Sequence, residues 1–108
     1  MSQTTTQAAE LNWQRQGSAV VFSGDLDRDT LLAFWNQRKS ELSGITEINV
    51  THLNRVDSSG LAMLVHILGD AEKVGSPLSL VGVTDKLSTL ITLYNLQHII
   101  PIETERSS

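Results

Sequence analysis

Apolar residues change their spacing several times along the chain, and each change marks an element. Leu11, Trp13 and Arg15 alternate with Asn12 and Gln14, Gln16-Gly17-Ser18 supplies turn residues, and Ala19 to Phe22 is an apolar run, which predicts a β-hairpin ended by Gly24. Asp25, Asp27 and Asp29 crowd the start of a segment carrying Leu31, Leu32, Phe34, Trp35 and Leu42. Acidic residues suit a helix N-terminus, so the segment predicts a helix over 29–42, broken by Ser43-Gly44. Ile45, Glu47, Ile48, Asn49 and Val50 predict a buried strand with polar interruptions, followed by a loop over 51–56.

The clearest helical signal comes next. Leu61, Leu64, Val65 and Leu68 fall at the i, i+3, i+4, i+7 spacing of one face, predicting a helix from Ser58 or Ser59 to Val74 that Gly75 stops. Leu78, Leu80 and Val81 predict a short strand within 77–83. Thr84 caps a third helix, with Leu87, Leu90, Ile91 and Tyr94 on one face and Asn95 at its end. Ile99, Ile100 and Ile102 predict a last strand at a sheet edge, where Pro101 is tolerated. Residues 1–10 are expected to be disordered, 11–102 to form the domain and 103–108 to be a polar tail. Strands alternating with helices imply an α/β fold, a mixed sheet of about five strands with three helices packed on it.

A length of 108 residues allows one domain with an ordinary core and excludes multidomain architectures. Eight Lys+Arg against twelve Asp+Glu give a net charge of −4, the wrong sign for nucleic-acid backbones and anionic membrane surfaces. The absence of cysteine excludes disulfides, thiolate metal sites and cysteine nucleophiles. Met1 to Glu10 lacks the basic and apolar regions of a secretory signal, and the apolar stretch Leu61 to Leu68 is far short of the roughly 20 residues of a membrane span, so a cytoplasmic location is expected. His52, His66 and His98 show no ligand spacing, and no glycine-rich phosphate loop is present. The aspartates at 25, 27 and 29 are explained by helix capping without a catalytic pair. No catalytic residue, metal or cofactor is therefore expected, and the chain is not expected to be an enzyme.

One motif retains chemical interest: Asp57-Ser58-Ser59-Gly60 at the start of the central helix. Asp57 or Ser58 could cap the orphan N–H groups there, or Ser58 could accept a phosphate facing the positive helix end. On the same helix Met63, Ile67 and Val74, flanked by Ala62 and His66, form a second apolar stripe away from Leu61, Leu64, Val65 and Leu68. That stripe is either covered by a neighbouring helix or offered to a partner.

The whole plan, with Asp57-Ser58-Ser59-Gly60-Leu61 at the head of the central helix, resembles the STAS family, shared by sulfate transporters and anti-sigma factor antagonists. Gly24-Asp25-Leu26-Asp27, Gly44-Ile45-Thr46, Arg55-Val56-Asp57 and Leu93-Tyr94-Asn95-Leu96 are most similar to its phospholipid-transport members. That resemblance implies a cytoplasmic accessory subunit, peripheral to the inner membrane, of an ABC transporter that keeps the outer membrane of Gram-negative bacteria lipid-asymmetric. Its expected partner is the transporter ATPase, in a complex with a permease, and no small-molecule substrate is expected. Together with the spare stripe, it makes Ser58, Ser59, Met63, His66 and Ile67 the expected partner-binding residues. These transporter members usually carry Asp-Thr-Gly-Gly where this chain has Asp57-Ser58-Ser59-Gly60. The extra hydroxyl at Ser59 resembles the antagonist version, whose counterpart of Ser58 is phosphorylated, and that alternative stays open. An enzyme or ligand binder of another kind is the third reading.

Overall fold

The computed structural model describes residues 10–96. Strand β1 (Leu11–Gln16) turns through Gly17-Ser18 into β2 (Ala19–Leu26), its antiparallel neighbour, with Leu11 opposite Gly24 and Gln16 opposite Ala19. Gly17 sits at φ +64°, the left-handed conformation that a two-residue hairpin turn requires. Helices α1 (Leu31–Trp35) and α2 (Arg38–Glu41) lead to β3 (Glu47–Val56), and α3 (Ser58–Lys73) leads to β4 (Ser79–Val81), followed by α4 (Asp85–Leu93). β3 pairs parallel to β2, and β4 parallel to β3, giving the order β1-β2-β3-β4.

Both parallel connections step in the same direction across the sheet, and right-handed crossovers then place their helices on one face. Burial agrees with that arrangement. Val20, Phe22, Ile48, Val50 and Leu80 are fully buried and share one cluster with Phe34, Leu61, Leu64, Leu87 and Ile91 of the helices. Phe34 meets Phe22 and Trp13 edge-on, with centroids 4.8 and 5.1 Å away, so the cross-strand pair Trp13–Phe22 anchors α1. The opposite sheet face carries Asn12, Gln14, Val21, Ser23, Asn49 and His52 around a shallow depression.

The α/β class and mixed sheet agree with the sequence reading; the described residues hold four strands, and four helices where three were expected. Several boundaries differ, the start of β3 at Glu47 instead of Ile45 among them. The helix expected over 29–42 is two short pieces: the Gln37 side chain donates to the Ala33 carbonyl and Arg38 to that of Trp35, diverting acceptors that a continuous helix would use. It also begins later, because the buried Asp27 carboxylate accepts from the N–H groups of Asp29 and Thr30 while the Thr30 hydroxyl accepts from that of Asp27, closing a turn before the first helical residue.

β2 continues past Gly24, which adopts φ +91° at a register shift and would drive a Cβ into the Glu10 carbonyl. The loop expected over 51–56 is strand. Val21 faces Asn49 while Ser23 faces His52, so an extra residue bulges from β3 and breaks its alternation between Val50 and Leu53.

The helix ends fall where expected. Gly75 and Asn95 take positive φ, and Ser76 N–H reaches the Ala71 carbonyl as Leu96 N–H reaches that of Ile91, two Schellman closures. Thr84 accepts from Leu87 N–H as the cap of α4, although Tyr94 is half exposed. The last strand expected at Ile99 to Ile102, the polar tail and residues 1–9 of the disordered segment lie outside the described residues. Glu10, counted in that segment, is tied to the sheet through its carbonyl, which accepts from Asp25 N–H at 2.8 Å.

Gly60 is buried, and a Cβ there would collide with the carbonyl oxygen and side chain of Leu26. Alanine ordinarily stabilises a helix by about 1 kcal/mol over glycine. Here overpacking should prevail: Gly60→Ala is expected to lower stability in urea unfolding by about 1–3 kcal/mol. Unchanged or raised stability would show that α3 does not press on the end of β2.

Candidate functional site

Parallel pairing brings the C-terminal ends of β2 and β3 side by side, with Leu26 opposite Val56, so the two following segments must share one small region. Asp57 joins them. One carboxylate oxygen accepts from Gly60 N–H at 2.8 Å, and the other accepts from Arg28 N–H at 3.3 Å on the segment leaving β2. Its own N–H donates to the Leu26 carbonyl at 3.2 Å. Between the two alternatives left by the sequence, the cap is therefore Asp57 and not Ser58.

The Ser58 side chain is left exposed at the head of α3, and Ser59 beside it is half-buried. Ala62 and His66 follow Ser58 at i+4 and i+8 and are exposed, so the outward face of α3 begins with small side chains and ends on an imidazole. His66 lies edge-on to Trp35 with centroids 5.9 Å apart, and the Arg38 guanidinium sits 3.6 Å from the centre of the Trp35 ring. This stack borders the small-residue surface on the α1 side. Ser58, Ser59 and His66 thus share one accessible face.

Met63 and Ile67 do not share it. They are 4% and 2% exposed, which corrects their placement on a partner surface. The physical reason is that α3 packs against β3 and also against α1 and α4 on either flank, so a helix apolar on two faces is covered on both. Val74, the third member of the stripe, is 76% exposed where α3 ends.

The other candidate chemistry is dispersed. Asp27 is committed to its turn, His52 stands on the sheet face opposite the helices, and His98 lies outside the described residues. Among the described residues no group of three or more His, Asp or Glu side chains converges as a metal site, and no helix is long and apolar enough to cross a membrane. Sequence reasoning missed Arg28 and Trp35. Nothing in local spacing shows that Arg28 N–H reaches Asp57 across 29 positions, since that contact exists only once β2 and β3 are paired.

Comparison with known proteins places this geometry in context. The family model described as Mlab, STAS domain matches residues 9–101. The intermembrane phospholipid transport system binding protein MlaB of Escherichia coli K12 is 44% identical over 86 residues, 80% of this chain and 89% of that protein. MlaB of Haemophilus influenzae is 34% identical over 96 residues, covering 80% and 91%. Among solved structures, the Bacillus cell fate determinant SpoIIAA in its phosphorylated form superimposes with a TM-score of 0.60 at 18% identity, covering 88% of this chain and 92% of that one. At that identity the likeness concerns the fold.

If Met63 and Ile67 belong to the core, a charge at either site is buried without a partner, a change in the range of several kcal/mol. Met63→Glu and Ile67→Glu should each abolish or strongly lower the cooperative melting transition, whereas Ala62→Glu on the exposed face should leave it nearly unchanged. Wild-type melting of Met63→Glu or Ile67→Glu would return that residue to the surface.

Proposed function

The chain belongs to the STAS domain family in its MlaB group, and on that premise we propose that it is a non-catalytic subunit of an intermembrane phospholipid transport system, docking on the ABC-type ATPase of that system. The docking site is the head of α3, with Ser58, Ser59 and His66 at its centre and the 28–30 segment beside it. The complex holds the protein at the cytoplasmic side of the inner membrane, where it supports assembly and activity of an MlaF-like ATPase joined to a permease, and so maintains outer-membrane lipid asymmetry.

The observation that carries this reading is the division of labour between Asp57 and Ser58. Asp57 caps the helix and ties it to the neighbouring segment, while Ser58 is exposed and does not cap. A hydroxyl beside the small residues Ser59 and Ala62 permits close approach of a partner backbone. The antagonist-type switch is less favoured: the 44% and 34% identical relatives carry transport-system names, while the likeness to SpoIIAA is one of fold.

The same geometry supports the non-catalytic reading. Asp27 and Asp57 place carboxylates where the chain enters the helices after β2 and β3, the positions at which a phosphate-binding fold would present glycine N–H groups. Calorimetric titration of the isolated chain with Mg-ATP is expected to give no saturable heat. Micromolar binding would show a nucleotide site that the Asp27 and Asp57 carboxylates should exclude.

The docking test compares affinities of Ser58 variants for the purified ATPase, with melting curves as controls. Ser58→Thr should bind as the wild type does. Ser58→Glu, which sets a second carboxylate beside Asp57 within a desolvated contact, should bind at least about tenfold more weakly, about 1.4 kcal/mol. Ser58→Ala should melt within about 0.5 kcal/mol of wild type, because the cap is Asp57. Equal affinity for all three variants would remove Ser58 from the interface, and capture of an anti-sigma kinase in place of transporter subunits would replace the reading.

A further inference from the structure

An open groove of about 720 Å³ lies between α2 and the C-terminal half of α3, within the roughly 300–1,000 Å³ typical of small-molecule sites. The chain entering β3 and the chain entering β4 complete its walls, so it opens at the end of the sheet remote from Ser58. Its floor is aliphatic: Ile45, Ile67 and Leu78 are each at most 4% exposed. Ala71 and Val74 extend that surface along α3 at i+4 and i+7 from Ile67, and Val74 is left largely in solvent. A ligand that covered Val74 would remove a large exposed aliphatic side chain from water.

Charge around the rim is uneven. Arg38 and Lys39 stand on the α2 wall, against the single carboxylate of Asp70 on the α3 wall. Arg38 is held in place by its bond to the Trp35 carbonyl at 2.8 Å and by the indole face, while Lys39 is exposed.

We propose that this groove binds a single-chain amphiphile, its alkyl tail along Ile67 to Val74 and its anionic head between Arg38 and Lys39. Two cations against one carboxylate favour a monoanion locally. The net charge of −4 disfavours an anionic bilayer as the occupant and leaves an individual molecule. A partner helix fits less well, since the α2 wall is four residues long, about one turn, too short to flank anchors spread over two turns. The groove opens at the other end of α3 from Ser58 and meets the proposed docking site only through Arg38, which stacks on Trp35 beside His66; Ser58 and Val74 variants therefore test the two assignments separately.

The test is an NMR titration of the full chain, observing side-chain methyl groups, with sodium dodecanoate below its micellar concentration. Dodecyltrimethylammonium serves as a control with the same tail and a cationic head. Dodecanoate should give saturable shifts at the methyls of Ile45, Ile67, Val74 and Leu78, with at least tenfold higher affinity than the cationic control. Lys39→Glu and Val74→Asp change exposed side chains, so they should melt as wild type while weakening dodecanoate binding at least fivefold. Ser58→Glu should bind dodecanoate normally. The proposal fails if no saturable shift occurs, if the two head groups bind equally, if both groove variants bind like wild type, or if sedimentation shows a dimer that Val74→Asp dissolves.

Discussion

The bridge made by the Asp57 carboxylate joins the two segments that form the proposed docking site. It ties the first turn of α3 to the segment leaving β2 through Gly60 and Arg28 N–H groups, and the buried Gly60 permits that approach because any Cβ would strike Leu26. A carboxylate accepting two N–H groups at a helix N-terminus satisfies otherwise orphan donors and complements the helix dipole. The next residue is thereby presented from a fixed backbone without taking part in the cap. Ser58 is placed by Asp57, not by its own bonds.

The two crossovers then determine which surfaces remain. With the helices gathered on one face, the sheet keeps a polar opposite face, and the helical layer exposes the outward sides of its helices. α3 is the central element of that layer, flanked by α1 and α4, so most of its apolar residues serve the core. Two accessible regions of different chemistry remain at opposite ends of α3: the face of Ser58, Ala62 and His66, and Val74 beside the groove.

Much of this plan was legible in the sequence, and the exceptions have physical causes. α3 and α4 could be read because regular 3.6-residue spacing, an Asp or Thr cap and a Gly or Asn stop agree with one another. The C-terminal half of β3 could not, since the bulge near Thr51-His52 breaks the alternation on which a strand is recognised. The break before α2 depends on side chains of Gln37 and Arg38 competing for carbonyl groups, which leaves no periodic trace. The site motif was visible, and its division of labour was not, because local pattern permits either Asp57 or Ser58 to cap. Met63 and Ile67 show why the rest was not legible: a second apolar stripe reads the same whether the domain itself or a partner covers it, and here both residues are buried within the domain.

Hydrogen–deuterium exchange of the chain with and without the purified ATPase tests the docking surface most directly. The N–H groups of Ser58 and Ser59 precede the first intrahelical donors and should exchange rapidly in the free protein. Docking at the head of α3 predicts slowed exchange on adding the ATPase over 28–30 and 58–62, with little change on the polar sheet face at Asn12 to Gln16. Protection confined to that sheet face, with 58–62 unchanged, would contradict the account.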